Sequence, residues 1–220
     1  MQIQTTTETI EFNGWTMRVR PALTGKPRLL VMIHGWTGDE NSMWVFARNF
    51  SADKYWIIAP RAPHNADPQG FSWRPPQHTE FGRPSLEMLF PAAEALIRLV
   101  DGYSASVGIE ARHFDVIGFS QGAAMVNVLG FLFPDRIRKM GVLAGFVPAG
   151  LEAQVEKRPL EGKRVLVAHG TQDELVSIER ARTSMELMEK AGASIVYCED
   201  EVGHKLSANC LRALEEYLDD

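Results

Sequence analysis

One short run in the sequence has the make-up for acyl chemistry: Gly118-Phe119-Ser120-Gln121-Gly122, with an apolar stretch on either side. A G-x-S-x-G run between a buried strand and a buried helix forms a sharp turn that lifts the serine hydroxyl clear of the sheet. Side chains two residues to either side would strike the strand or the helix, so both positions want glycine. A serine hydroxyl is a weak nucleophile until a base takes its proton, and the base needs an acid to orient it. In turns of this kind the acid and then the histidine follow the serine along the chain. Of the histidines His34, His64, His78, His113, His169 and His204, only the last two follow Ser120. His169 would have to precede its acid, which is the wrong order. His204, in Gly203-His204 between the last strand-like run and the final helix, is the expected base. Asp173, a few residues beyond the apolar run at 164–168, is the expected acid. Asp200 and Glu174 compete for that role; Asp200 is near His204 in sequence but expected on the far side of its loop.

A tetrahedral oxyanion needs two donors. One is expected from the backbone N–H of Gln121, at the start of a helix whose dipole favours negative charge. The second is expected from the Trp36 N–H in His34-Gly35-Trp36-Thr37-Gly38, where Gly35 lets the backbone approach closely. Without such a role His34-Gly35 is simply a tight turn. Trp36, Trp44, Phe71, Trp73 and Phe119 are candidates to line an apolar acyl slot, with Phe146 as a further wall, although aromatic residues dominate cores in any case. Arg61, Arg74 and Arg83 could hold an anionic group on the substrate; the ordinary expectation for such arginines is a solvated one.

The elements that must position these residues follow from periodicity. Strand-like runs at 3–12 and 15–20 flank Asn13-Gly14, a strong two-residue hairpin signal because both turn positions want positive φ. Apolar runs at 28–34, 55–59, 113–118, 139–143, 164–168 and 194–198 have the length and continuity of strands covered on both faces. Helical patterns fall between them, at 85–107, 121–133, 177–191 and 205–218. Strands alternating with helices predict an α/β fold with a mostly parallel sheet, helices on both faces and the antiparallel hairpin at one edge. The segment 61–84, rich in Pro and aromatics and holding His64, His78 and Phe81, is expected to cover the site as a loop.

A length of 220 residues suits a single domain, 1–220, and nothing in the chain reads as a repeat or linker. The net charge of -5 argues against a nucleic-acid partner. No stretch approaches the roughly 18 apolar residues of a membrane span. Residues 1–8 show neither a basic start nor an apolar run, so no secretory leader is read there, and a cytoplasmic location is expected. Two cysteines in such a chain are not a disulfide framework; Cys198 and Cys210 are expected as reduced, buried thiols. A homodimer stays open.

The set His34-Gly35, Gly118-Phe119-Ser120-Gln121-Gly122, His169-Gly170 with Asp173 and Val176, and Gly203-His204 resembles the phospholipase/carboxylesterase family of small α/β-hydrolases, which includes acyl-protein thioesterases and bacterial carboxylesterases. The resemblance runs from about residue 28 to the end. It implies a compact α/β-hydrolase fold without a large cap, hydrolysis of carboxylic esters or thioesters, a small-molecule ester as partner, and no metal or organic cofactor. The thioesterases usually carry leucine where this chain has Trp36, and their aspartate motif after the second strand is not evident in 61–84. The expected activity is therefore that of a serine esterase acting on short- to medium-chain esters, with acyl-protein thioesterase or lysophospholipase as alternatives. Related enzymes with a cysteine nucleophile do not fit, because neither cysteine lies on a strand-to-helix turn. A non-catalytic binding module on the same scaffold is the alternative of another class.

Overall fold

A computed structural model describes residues 6–23, 25–76 and 83–220. Its centre is an eight-stranded sheet built from β1 (Glu8–Phe12), β2 (Trp15–Arg20), β3 (Arg28–Ile33), β4 (Tyr55–Pro60), β7 (Phe114–Phe119), β8 (Ile137–Leu143), β9 (Arg164–Gly170) and β10 (Ser194–Asp200), in the spatial order β1-β2-β4-β3-β7-β8-β9-β10. β1 and β2 form the expected hairpin, with Asn13 and Gly14 both at positive φ, 48° and 81°. β2 meets β4 antiparallel, and every pairing from β4 through to β10 is parallel. A separate two-stranded ribbon, β5 (His64–Asn65) with β6 (Phe71–Ser72), lies in the 61–84 segment. His78 and Phe81 of that segment lie outside the described residues, as does Ile3.

Strand alternation divides the core in two. Leu29, Val31 and Ile33 face one side with α2 (Leu86–Val107), α3 (Gln121–Leu132) and α4 (Ile178–Lys190); Leu30 and Met32 face the other with α1 (Trp44–Ala47) and α5 (Ala208–Asp219). Both sheet faces are thus covered, which is why the strands read as unbroken apolar runs. α3 is buried on nearly every side, as its all-round apolar sequence requires. Among the described residues no helical cap is inserted over the sheet edge, and no helix is long and apolar enough to cross a membrane.

Strand order reverses between β3 and β7, which pair in register from Leu30↔Asp115 to Ile33↔Gly118. In open α/β sheets the ligand crevice lies outside the carboxyl ends of the strands at such a reversal. Here those ends deliver His34-Gly35-Trp36 and Phe119-Ser120 side by side.

One expectation is corrected. Cys198 and Cys210 are not separate thiols but a disulfide, with a Cα–Cα distance of 5.6 Å. α5 folds back along β10, so its first turn brings Cys210 against the strand. The bridge therefore clamps the two ends of the 201–207 loop, which carries His204.

Candidate active site

Ser120 sits where β7 turns into α3, at φ 54° and ψ -114°. Such a backbone conformation costs a non-glycine residue of order 1–3 kcal/mol and persists only where the surroundings enforce it. The flanking glycines show how. A Cβ on Gly118 would lie 2.3 Å from the Gly122 carbonyl oxygen, and one on Gly122 would lie 2.1 Å from that of Ile33. Strand, turn and helix approach more closely than any side chain permits, and the serine is held at the mouth of the sheet. Gln121 opens α3, so its N–H is one of the helix's orphan donors.

Asp173 follows β9. Its Oδ1 accepts from the backbone N–H groups of Leu175 and Val176, both at 2.9 Å, and its Oδ2 accepts from His204 Nδ1 at 2.7 Å. The carboxylate is fully buried while the imidazole keeps partial access to solvent. The rear of the His204 ring rests on Phe119, the residue before Ser120, with ring centroids 4.9 Å apart. Asp173, His204 and the serine turn are thus gathered in one place. Asp200 ends β10; its carbonyl oxygen accepts from Thr171 N–H and its carboxylate from Glu201 N–H, whereas the His204 bond goes to Asp173. Glu174 is exposed.

His169 acts differently from His204. Its Nε2–H donates to the Val176 carbonyl oxygen at 2.7 Å and lies 3.6 Å from Asp173 Oδ2, bracing the loop that presents the acid. His34 does the same for the opposite loop. Its Nδ1–H donates to the Gly35 carbonyl at 2.7 Å and its Nε2 accepts from Ala62 N–H at 3.0 Å, a pairing that only the neutral ring satisfies. Burial, ahead of every other influence, holds its pKa below the ordinary 6.5.

A cavity of about 350 Å³ opens beside Ser120 and Gln121. Trp36 and Phe146 line it together with Pro84, Leu175 and Val176. Four expected liners fall elsewhere. Trp44 opens α1, where the Arg18 guanidinium lies 4.7 Å over its ring. Trp73 is fully buried: its Nε1–H donates to the His34 carbonyl at 2.8 Å, and its own N–H donates to the Gln121 side-chain oxygen at 2.8 Å. It locks the His34 loop to the serine turn instead of touching the cavity. Phe71 pairs through its backbone with Thr37 and Gly38, and its ring is covered by the Arg61 guanidinium at 4.6 Å. Phe119 supports His204 from behind. Arg61 itself is taken up by Glu40, at 2.7 and 2.9 Å. Arg74 and Arg83 do reach the cavity, and Arg180 of α4 joins them, a residue with no conspicuous sequence motif around it. Its one sequence signal was a cation in the first turn of a helix, where the dipole disfavours it. Among the described residues no group of three or more His, Cys, Asp or Glu side chains is arranged to hold a metal ion.

Comparison with known proteins speaks to the family and the fold. The sequence profile of the phospholipase/carboxylesterase family matches residues 18–220. Carboxylesterase SOBER1 of Arabidopsis thaliana is 28% identical over 117 residues, 50% of each chain. The match spans about half the length of this and the other plant carboxylesterases found. Acyl-protein thioesterase 1 of Debaryomyces hansenii is 26% identical over 223 residues, covering 92% of this chain and 95% of that protein. In three dimensions, a carboxylesterase from Mesorhizobium loti superposes with a TM-score of 0.81 at 19% identity, covering 97% of this chain and 98% of that one. The Bacillus cereus carboxylesterase gives 0.79 at 20% identity, covering 94% of each chain. At such identities the structural likeness speaks for the α/β-hydrolase fold, and the sequence match speaks for the family. This chain belongs to the phospholipase/carboxylesterase family of α/β-hydrolases.

Proposed function

We propose that this chain is a serine carboxylesterase that hydrolyses short- to medium-chain esters through an acyl-enzyme, with Ser120 as nucleophile, His204 as base and Asp173 as orienting acid. The observation that carries the reading is the 2.7 Å bond from His204 Nδ1 to Asp173 Oδ2 beside a serine held at positive φ. With Nδ1–H committed to the carboxylate, Nε2 is left as the acceptor. It takes the Ser120 proton as Oγ attacks the carbonyl carbon. The oxyanion is held by the Gln121 N–H and, by its position on the same cavity wall, the Trp36 N–H. The imidazolium then protonates the leaving alcohol. A water, deprotonated by the same Nε2, attacks the acyl carbon; Ser120 leaves with that proton and the acid is released. Asp173 stabilises the imidazolium and stays ionised throughout.

The modest cavity supports short and medium acyl groups. Covalent labelling by a fluorophosphonate, lost in Ser120→Ala, separates an enzyme from a binding module on the same scaffold. Rates on nitrophenyl acetate, butyrate, octanoate and palmitate test the chain length; fastest turnover on palmitate overturns it. A second reading, acyl-protein thioesterase, is favoured by the near full-length relative of that name. Preference for a thioester over its oxygen analogue would select it.

On location, the sequence pointed to the cytoplasm only through what it lacks. The Cys198–Cys210 bridge is a positive observation, and disulfides persist chiefly in oxidising surroundings.

A further inference from the structure

We propose that the cavity beside Ser120 is a receptor for an anionic group on the substrate, a carboxylate or a phosphate, held by Arg74, Arg83 and Arg180. The chemistry at the ester rests on the carboxylesterase reading; the anion site stands on its own geometry. The three arginines come from separate places, the end of the β5–β6 segment, the approach to α2 and the first turn of α4, and line one cavity with Ser120 and Gln121. Arg28, Arg61, Arg136, Arg138, Arg158, Arg164 and Arg182 each lie within 4.0 Å of a carboxylate. Among the described residues no such ion pair involves Arg74, Arg83 or Arg180. Glu174, the single acid on the wall, is exposed and makes no ion pair with them.

The placement of Arg180 runs against local physics in three ways. It stands in the first turn of α4, where the helix dipole opposes a cation. It is half-buried, and burial is the larger cause of a pKa brought down to about 10. The nearby Arg83 charge is the second cause. Arg74 is buried too, only 7% exposed, and burial lowers its pKa as well. Arg83 is exposed, but the two desolvated cations Arg74 and Arg180 beside it carry a free-energy cost, and violations of local rules without a packing reward concentrate at functional sites. A bound anion is itself favoured by the helix dipole, offsets the repulsion between the arginines, and replaces their lost hydration with charge-assisted hydrogen bonds. The orientation of Arg180 also suits an oxyanion, because its guanidinium carbon stacks 3.4 Å over the Phe146 ring. Stacking on a ring face fixes the plane of the guanidinium while leaving its edge N–H groups for a bidentate oxyanion.

Calorimetry on Ser120→Ala tests the site without turnover, using glutarate, 4-phosphonobutyrate and the neutral glutaramide. Either dianion should bind and glutaramide should not, and Arg180→Met should weaken binding tenfold or more. Arg180→Lys should restore part of it, since a point charge replaces a fork. Arg182→Met removes the same charge from the same helix, at a side chain paired with Glu199, and should leave binding unchanged. Tighter binding of glutarate assigns a carboxylate; tighter binding of the phosphonate assigns a phosphate. The ratio of kcat/KM for 4-nitrophenyl hydrogen glutarate over its methyl-capped ester then locates the anion. A ratio of ten or more that collapses towards one in Arg180→Met places it on the acyl portion; a ratio near one with dianion binding intact places it on the alcohol portion. No binding of either dianion, or binding indifferent to both Arg180→Met and Arg83→Met, overturns the proposal even in an active esterase. Conversely, loss of all ester turnover and of fluorophosphonate labelling, with dianion binding retained, removes the esterase reading and leaves the anion site standing.

Discussion

Replacing Asp173 by Asn should abolish most activity while leaving the fold intact, and the hydrogen bonds say why. Oδ1 accepts two backbone N–H groups and Oδ2 accepts one imidazole N–H. An amide has one oxygen. Placed at the Oδ1 position it keeps both backbone bonds; the reverse orientation would aim an NH₂ group at two N–H donors, stranding buried groups at about 1–3 kcal/mol each. The amide nitrogen therefore faces His204 Nδ1. The imidazole answers by moving its proton to Nε2 so that Nδ1 can accept. Nε2 then carries a hydrogen and cannot take the Ser120 proton. Loss of the correct tautomer costs Ser-His-Asp enzymes about 10⁴ in kcat, or about 5 kcal/mol of transition-state stabilisation. Steady-state hydrolysis of nitrophenyl butyrate reads the rate and thermal unfolding reads the fold. A fall smaller than tenfold with an unchanged melting midpoint, or an Asp200→Asn variant more damaged than Asp173→Asn, refutes the reasoning.

The disulfide closes a 12-residue separation, so reduction, or Cys198→Ser with Cys210→Ser, should lower the unfolding free energy by about 3 kcal/mol in a denaturant titration; an unchanged midpoint speaks against the cross-link. His34 is neutral when folded and its pKa is lowered by burial, so below its ordinary 6.5 the unfolded chain binds a proton that the folded chain refuses. Its contribution is therefore complete above that pH and is lost on acidification, by up to about 1.4 kcal/mol per pH unit. The difference in unfolding free energy between the wild type and His34→Gln, followed from pH 7.5 downward, should shrink accordingly; a difference independent of pH would show that the ring is not neutral in the fold.

The fold was legible because the central strands keep their apolar runs and the four long helices keep a helical pattern, α3 being apolar all round; the short α1 and the β5–β6 ribbon carry no such signal. The place of the G-x-S-x-G turn at a carboxyl edge was also implied, whereas the strand order, with β4 outside β3, is set by pairings the sequence does not show. Chain order chose His204 over His169, the place just after the 164–168 run favoured Asp173 over Asp200 and Glu174, and the structure puts a hydrogen bond between His204 and Asp173. What resisted reading depended on contacts far apart in the chain. Trp73 looks like any aromatic in a loop until its indole N–H meets the His34 carbonyl, 39 residues away. Cys198 and Cys210 read as independent because a strand and a helix do not announce which faces they share. Arg61, Arg74 and Arg83 were indistinguishable as a set; only the fold assigns the first to Glu40 and the other two, with Arg180, to the cavity.

The acid and the arginine wall are not independent parts. Asp173 Oδ1 gathers the amides of Leu175 and Val176, His169 holds the Val176 carbonyl, and Ser177 caps α4 through the Arg180 N–H. Leu175, Val176, Ser177 and Arg180 in turn line the cavity beside Ser120. One carboxylate thus holds the His204 ring with one oxygen and the cavity wall leading into α4 with the other. Asn at 173 disturbs only the first of these, because its amide oxygen keeps both backbone bonds. That is why its effect belongs in kcat, with ligand binding at the arginine cluster retained. A side chain unable to accept those two bonds would release the start of α4 and mix the two effects, so the amide substitution is the one that separates chemistry from recognition at this site.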